Sequence, residues 1–280
     1  MIRPVLKDDA FLTDVAAARA EVAAGRLHVW WVGQSGFLMC YRGECLLLDP
    51  YLSDSLTKKY AATDKPHVRM TERVVDPARL GFVSVVTTSH NHTDHLDADT
   101  LGPIFAAAPQ AKLVLPAANV GFVTQRLGAS AVARLVPLAD GERATVGGFT
   151  FEAVPAAHEE LAAEYAGFVV SVGPFRIYHS GDTVRFPGMA ERLRVDGEMD
   201  LALLPINGRA AERRVSGNLD GVEAANLARD IGARCVVPCH YELFEFNTAS
   251  PAPFVAECAR LGQRCAVLRA GERLSLDPVR

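Results

Sequence analysis

The sequence lacks the features that would assign it to a membrane or nucleic-acid-binding class. It has no apolar run near the roughly 18 residues that a membrane-spanning helix needs, and residues 1–9 contain no apolar signal region. It also has no basic block, and its formal net charge of −4 comes from interspersed acidic and basic residues. This pattern argues against a general nucleic-acid surface. We therefore expect a cytoplasmic protein that binds neither a membrane nor a long nucleic acid.

Cysteine motifs are also lacking. Six cysteines are present, but no pair has the C-x2-C spacing of a zinc knuckle or a redox motif. Cys235, Cys239 and Cys265 lie in apolar runs, where a thiol behaves as a small hydrophobic group. We expect these thiols to be buried, and we favour reduced cysteines over disulfides.

What the chain does contain is a regular succession of short strands and helices. Apolar periodicity and Gly or Pro punctuation predict helices over 10–24, 97–108, 120–127, 220–231 and 253–261. Strands are predicted over 27–32, 36–41, 45–48, 82–88, 112–115, 134–137, 143–146, 149–154, 168–172, 176–179, 201–204, 235–238 and 265–268. Residues 51–79 are polar and irregular, which predicts a long functional loop. The order predicts a layered α/β fold with paired sheets, in a single domain over 1–280 whose residues 1–26 form a helical extension.

Histidines stand at the ends of several predicted strands. Three of them share the segment HNHTDH at 90–95. In an extended segment, residues two apart point the same way, so His90 and His92 can face one centre. The chain then turns towards a helix, so Asp94 and His95 can face a second centre nearby. Imidazole together with carboxylate suits zinc, manganese or iron.

The segment at 90–95 resembles the HxHxDH signature of the metallo-β-lactamase superfamily. The other elements of that family's pattern are present in order: Asp49 ends LLLDP, His158 ends PAAH, Asp182 lies in YHSGDT and His240 ends VVPCH. The likeness covers nearly the whole chain after the first predicted helix. It implies the four-layer αβ/βα sandwich of the metallo-β-lactamase fold.

The resemblance also implies a centre of two divalent metal ions, Zn²⁺ or Mn²⁺. The implied ligands are His90, His92 and His158 for the first ion, Asp94, His95 and His240 for the second, and Asp182 as the bridge. Asp94 and Asp182 are the implied catalytic carboxylates. Asp49 is expected to orient the ligands by hydrogen bonds, and His179 to contact the ligands or to pack behind them.

Within the superfamily, a narrower resemblance suggests a substrate. The segments WVGQSGF at 31–37, LDPYLS at 48–53, LPINGR at 204–209 and HYELF at 240–244 are similar to the L-ascorbate-6-phosphate lactonase-like branch. This likeness implies a metal-dependent hydrolase in which a metal-activated hydroxide attacks a lactone or small ester, such as a phosphorylated sugar lactone. It also implies assembly into a homo-oligomer, because relatives in this branch commonly assemble.

Four residues are candidate substrate contacts, although each is equally suited to fixing a loop by hydrogen bonds: Asn207, Arg209, Asn218 and Tyr241. Arg209 and the loop 51–69 are the candidates for gripping an anionic group, because Arg binds phosphate or carboxylate bidentately. Two other functions remain open at this point. One is a metal-dependent phosphodiesterase or nuclease, and the other is a non-catalytic metal-binding protein. The complete ligand set disfavours the second.

Overall fold

Two β-sheets organise the computed structural model, which describes residues 1–278. The strands, numbered in chain order, are β1 (Leu27–Gly33), β2 (Gly36–Tyr41), β3 (Glu44–Leu48), β4 (Val85–Thr87), β5 (Lys112–Pro116), β6 (Leu135–Leu138), β7 (Arg143–Val146), β8 (Phe149–Ala157), β9 (Leu161–Val172), β10 (Phe175–His179), β11 (Leu201–Pro205), β12 (Val236–Cys239) and β13 (Arg273–Leu276). One sheet has the order β13-β1-β2-β3-β4-β5-β6, and the other has the order β12-β11-β10-β9-β8-β7.

Helices connect these strands and cover the sheets. The α-helices are α1 (Asp9–Ala20), α2 (Ser55–Tyr60), α3 (Ala98–Ala107), α4 (Val120–Leu127), α5 (Met189–Arg194), α6 (Gly221–Asp230) and α7 (Ala252–Leu261). Short 3-10 helices occur at Val22–Ala24, Pro77–Arg79, Ala117–Asn119, Ala129–Arg134 and Ala211–Arg213. Helix α1 packs against β2, and α6 packs against β11 and β12.

A single cluster of buried apolar side chains joins the two sheets. It includes Trp30 and Leu47 from the first sheet and Phe151 and Leu203 from the second. Strands β1 and β11 are buried along their whole length, as expected where both faces of a strand are covered. The predicted α/β sandwich is therefore confirmed.

Each sheet contains a block of parallel strands, and these blocks position the polar loops. Strands β3, β4, β5 and β6 pair in parallel in the first sheet, as do β10, β11 and β12 in the second. Because the carboxyl ends of parallel strands meet at one edge of a sheet, the segments that follow them are brought together there. The segments after β3, β4, β10 and β12 are those that carry Asp49, 90–95, Asp182 and His240.

The last predicted strand was placed wrongly. Over 265–268 the structure has only an isolated bridge, between Cys265 and Val236. The final strand is instead β13, which pairs antiparallel with β1 and sets Val29 opposite Leu274. The start of this strand lacks an apolar pattern, because the charged residues Glu272 and Arg273 stand there. Both remain partly exposed, since the strand lies at the edge of the sheet.

Helix and loop boundaries also differ from the expectation. The predicted helix over 10–24 ends as α1 at Ala20, and a 3-10 turn then leads to Gly25, whose φ is 59°. The predicted loop 51–79 contains α2, and α5 was not predicted. Both missed helices have six residues, too short for a clear apolar periodicity. The strand predicted over 82–88 is reduced to Val85–Thr87.

The preference for reduced cysteines fails at one pair. Cys40 and Cys45 form a disulfide, because the antiparallel β2–β3 hairpin sets them directly opposite each other with Cα atoms 4.3 Å apart. Cys235 and Cys239 are buried free thiols as predicted, whereas Cys265 is half-buried. Within residues 1–278, no helix is long and apolar enough to cross a membrane.

A capping box begins α6. The Asp220 carboxylate accepts a hydrogen bond from the Glu223 backbone N–H at 2.8 Å, and the Glu223 carboxylate accepts one from the Asp220 N–H at 3.0 Å. Asp220→Ala leaves the Glu223 backbone N–H without its side-chain acceptor, so it should lower the free energy of unfolding by about 1 kcal/mol in urea titrations. Asp140→Ala, at an exposed turn, serves as the control and should change it by less than about 0.5 kcal/mol. Equal losses for the two variants would contradict the capping role.

Candidate metal centre

The segment at 90–95 follows β4 and is bent rather than extended. The backbone N–H groups of His95 and Leu96 both donate to the carbonyl of His92, at 3.1 and 2.8 Å. His90 and His92 were expected to face one centre because the segment is extended. That reason is wrong, since the segment is not extended. The chain bends over 89–92, before this turn, and the two rings lie together with centroids 4.6 Å apart.

His158 joins these two histidines from the end of β8. Its ring centroid lies 5.1 Å from that of His90 and 5.0 Å from that of His92. Its Nδ1 lies 2.9 Å from the Gly217 carbonyl oxygen, and this contact orients the ring. Ligand atoms of His90, His92 and His158 lie within 4.8 Å of one another, close enough to share one metal ion.

A second group overlaps the first through His90, and a third overlaps the second through His95. His90, His95 and Asp182 form one, and Asp94, His95 and His240 form the other, each with its ligand atoms within 4.8 Å of one another. Asp182 belongs to the second group and also approaches His240 of the third. Its Oδ1 is 3.4 Å from His95 Nε2, and its Oδ2 is 3.2 Å from His240 Nε2.

Burial and mutual charge set the protonation of this cluster. Burial raises the pKa of the Asp182 carboxyl, but His240 and His95 outweigh this and hold it well below its usual range. Burial lowers the pKa of His95, yet Asp182 and Asp94 raise it well above the ordinary value. Burial, aided by His95, lowers the pKa of His90 and keeps that imidazole neutral, the form that binds metals.

The donor atoms of the cluster fit divalent metal ions. His90 Nε2 and His95 Nε2 are fully buried, yet neither has a hydrogen-bond partner among the described residues. Buried polar atoms are normally paired, so orphaned imidazole nitrogens beside carboxylates indicate a ligand of another kind. Imidazole and carboxylate are the donors that zinc and manganese accept.

Asp49 holds the cluster in place by hydrogen bonds, as expected from its predicted orienting role. One carboxylate oxygen accepts hydrogen bonds from Thr87 Oγ1 at 2.8 Å and from the Ser89 N–H at 3.0 Å. The other lies 2.8 Å from His95 Nδ1. Burial raises the pKa of Asp49, but His95 and His179 bring it below its ordinary value. The carboxylate is therefore charged and fixes the direction of the His95 ring.

His179 does not contact the predicted ligands directly and packs against Ser35 and Phe37. Its Nε2 lies 2.9 Å from the Ser35 carbonyl oxygen, and its ring meets Phe37 edge-on at 6.2 Å. The Ser35 hydroxyl donates to Asp182 Oδ1 at 3.3 Å. The contact of His179 with the cluster is thus indirect, through Ser35.

Sequence reasoning missed Gln34. Its Nε2 donates to Asp94 Oδ2 at 2.7 Å and lies 3.1 Å from His240 Nε2, so one amide orients two of the predicted ligands. Gln34 has a φ of 50°, in the left-handed region that non-glycine residues seldom occupy. The turn GQSG at 33–36 was visible in the sequence, but its contact with Asp94 depends on the pairing of distant strands.

Five of the seven predicted ligands line a cleft of about 450 Å³, within the range of small-molecule sites: His92, Asp94, His158, Asp182 and His240. Other side chains that line this cleft include Lys59, Tyr60, His67, Arg214, Asn218 and Phe246. Several belong to the loop 51–69, as predicted, and others to the segments 214–218 and 244–247.

Only one of the four tentative substrate residues lines this cleft. Asn218 does, and Asn207 lies behind it, accepting from Asn218 Nδ2 at 3.0 Å and donating to Asn247 Oδ1 at 2.9 Å. The structure does not bring Arg209 or Tyr241 to the cleft. The Arg209 guanidinium forms an ion pair with Glu223, and Tyr241 is buried against Trp31 with ring centroids 4.4 Å apart. The prediction that Arg209 grips an anion is therefore corrected, because Arg209 does not line the cleft and its guanidinium pairs with Glu223 beside α6.

Comparison with known proteins agrees with the geometry. A family model described as the beta-lactamase superfamily domain matches residues 45–241. A metal-dependent hydrolase from Rubrobacter xylanophilus is 29% identical over 267 residues, which covers 89% of this chain and 97% of that protein. Another from Opitutus terrae is 28% identical over 260 residues, covering 89% and 100%.

Solved structures show the same fold at lower identity. An isothiocyanate hydrolase from Delia radicum gut bacteria superposes with a TM-score of 0.72 at 17% identity, covering 90% of this chain and 100% of that one. The metallo-β-lactamase fold protein YhfI from Bacillus subtilis gives 0.66 at 15% identity, with the same coverage. Since the family model spans most of the sequence, the chain belongs to the beta-lactamase superfamily domain family and is a metal-dependent hydrolase of the metallo-β-lactamase fold.

Proposed function

We propose that this protein hydrolyses small anionic lactones or esters at a centre of two divalent ions, Zn²⁺ or Mn²⁺. The observation that carries the proposal is that three groups of possible metal ligands, linked through His90 and His95, each contribute residues to the lining of one cleft. We assign His90, His92 and His158 to one ion, Asp94, His95 and His240 to the other, and Asp182 to both. A purely structural metal site would be closed, whereas this one faces a cleft.

Divalent ions held by these residues would lower the pKa of a water towards neutrality and would polarise the group under attack. The chain's own residues supply orientation and proton handling. Gln34 Nε2 holds Asp94 Oδ2 at 2.7 Å, so this carboxylate has a fixed direction towards the cleft. We assign to Asp94 the holding of the proton that leaves the attacking water, and to Asp49 the alignment of His95.

Two side chains that line the cleft, Lys59 and Arg214, carry positive charge. Arg214 pairs with Asp64 at 2.7 Å, but the Asp64 side chain is 74% exposed, so a bound anion can compete for this guanidinium. Arg126 also lines the cleft but donates to the Asn91 and Leu96 carbonyls, so its role is structural. We therefore assign the anion-binding role to Lys59 and Arg214, in place of Arg209.

One experiment tests the reaction class. Metal content is measured on the purified protein by mass spectrometry, and the protein is assayed against a panel of lactones, aryl esters and bis-p-nitrophenyl phosphate. We expect close to two ions per chain and turnover of lactones or esters that a chelator abolishes and added metal restores. Turnover of the phosphodiester alone would assign the phosphodiesterase alternative. Full metal content without any turnover would refute the hydrolase mechanism.

A charge-neutralising variant tests the anion site. Arg214→Gln should raise KM for an anionic ester by about 10-fold and leave kcat nearly unchanged, because the lost contact holds substrate and transition state alike. The KM of an uncharged ester should not change. Arg234→Gln is a matched control, since Arg234 is also an exposed arginine paired with an aspartate, Asp200 at 3.2 Å, and does not line the cleft. Equal effects of Arg214→Gln on both esters would argue against an anionic substrate.

A further inference from the structure

A small second hydrophobic cluster stands beside the metal centre, separate from the main core. Its buried members are Tyr51, Leu56, Leu243 and Phe244. Two further aromatic side chains, Tyr60 and Phe246, pack on it but are only partly buried. Because the cluster is separate, its composition is not dictated by the packing between the two sheets.

Aromatic rings from this cluster form one wall of the cleft. His67 stacks on Tyr60 with centroids 4.2 Å apart and planes 18° apart, and it contacts Phe246 at 4.4 Å and Phe244 at 5.2 Å. All four rings line the same cleft as Asp94 and His240. We call Tyr60, His67, Phe244 and Phe246 the aromatic wall.

The aromatic wall is held in place before any ligand arrives. The backbone of 67–70 pairs with that of 243–245: the Met70 N–H donates to the Leu243 carbonyl at 2.7 Å, and the Glu245 N–H donates to the Val68 carbonyl at 3.0 Å. Thr57 Oγ1 donates to the His67 carbonyl at 2.7 Å. A preformed surface costs little conformational entropy on binding, so its contacts contribute fully to affinity.

The half-buried rings need an explanation, because packing alone would favour covering them. Phe246 and Tyr60 each lie at the cleft rather than at the outer surface, and Lys59 Nζ is 5.0 Å from the Tyr60 ring centroid. Flat aromatic faces beside a cation suit a planar ring that carries a negative charge, since rings attract each other at 4.5–7 Å spacing. An aliphatic ligand would gain only from the area it covers.

We propose that the aromatic wall is the specificity subsite for an aromatic ring in the substrate. The substrate is then an aryl-bearing anionic ester or lactone, with its scissile carbonyl over the metal centre and its ring against Phe246 and Tyr60. This inference rests on the proposed hydrolase function, which it narrows to a substrate class.

Two non-hydrolysable anions separate ring recognition from chemistry. Phenylphosphonate and methylphosphonate are titrated calorimetrically into the metal-loaded protein. We expect phenylphosphonate to bind about 10-fold more tightly, through stacking and the added apolar contact. In Phe246→Ala this preference should fall below about 3-fold, while the affinity for methylphosphonate stays the same.

Three further variants, Phe246→Leu, Tyr60→Ala and the control Phe122→Ala, keep the test decisive. Phe246→Leu retains apolar volume but removes the π face, so it should show a preference between those of the wild type and Phe246→Ala. Phe122→Ala removes an exposed phenylalanine of α4 that does not line the cleft, and it should keep the wild-type preference. A change in methylphosphonate affinity in Phe246→Ala would show collapse of the wall, and Phe246→Leu and Tyr60→Ala would then decide the point.

Equal binding of the two phosphonates by the wild type would overturn the aromatic subsite, as would a preference that keeps its full wild-type size in both Phe246→Leu and Tyr60→Ala. Neither result bears on the proposed hydrolysis, because methylphosphonate binding and turnover of lactones are measured separately. Failure of the hydrolase function would instead appear as no turnover of any ester, lactone or phosphodiester.

Discussion

Asp182→Asn should reduce kcat/KM by at least about 100-fold and lower the metal content, which is the largest effect we expect from any single substitution. Asp182 is 4% exposed, and its carboxylate lies 3.8 Å from His158 Nε2 in one assigned ligand group and 3.2 Å from His240 Nε2 in the other, so it is placed to contact both halves of the centre. Loss of a residue that only orients ligands already costs about 10–100-fold, and loss of a shared ligand should cost more. Metal analysis and steady-state kinetics measure the two effects.

Asn replaces Asp182 without a change in side-chain size, so a loss of activity is not a packing effect. Asn is isosteric with Asp, so the variant should fold, and circular dichroism with urea titration checks that it does. Asp200→Asn provides a control carboxylate that does not line the cleft, where Asp200 accepts from the Arg176 N–H at 2.8 Å. Full activity and full metal content in Asp182→Asn would refute the bridging assignment.

Asp49→Asn should lower metal affinity by about 10–100-fold without removing any predicted ligand. The carboxylate accepts from the Ser89 N–H and from Thr87 Oγ1, and it also faces His95 Nδ1. An amide cannot accept on both sides, because its NH₂ group would face a donor. The His95 ring and the start of segment 90–95 should therefore lose their fixed orientation. Competition with a chelator measures the affinity.

A merely structural role for Asp49 would give a different result. In that case Asp49→Asn would reduce the free energy of unfolding of the metal-free protein and leave the metal affinity of the folded fraction unchanged. Thr87→Val, which removes one of the donors to Asp49, should have a smaller effect in the same direction. An effect of Thr87→Val that exceeds that of Asp49→Asn would contradict the orienting role.

The positions at which sequence and structure disagree have physical causes. Strand β13 was missed because its pairing with β1 is decided by residues more than 240 positions apart. Residues 265–268 have strand-like composition, but only Cys265 finds a partner, since Val236 meets it at the edge of the second sheet. The Cys40–Cys45 disulfide follows from hairpin register, which no cysteine-spacing motif reports.

Site residues divide in the same way. The motif at 90–95, together with His158, Asp182 and His240, was predicted from the sequence because these residues match, in order, the pattern of the metallo-β-lactamase superfamily. Arg209 looked equally suited to a substrate, but its partner Glu223 is supplied by the capped start of α6. Local sequence carries no information about whether a charge is already neutralised by a neighbour.

The sequence by itself determined the layered α/β architecture and the set of imidazole and carboxylate groups that the metal centre requires. Its apolar periodicity specifies buried strands, and the histidines and aspartates stand where those strands end. Only the tertiary structure decided which groups meet. Gln34 reaches Asp94, the loop 51–69 sets Tyr60 and His67 against Phe246, and Arg214 rather than Arg209 lines the cleft. These contacts join segments far apart in the chain, and they form because two sheets pack around one core and bring their loops to a shared edge.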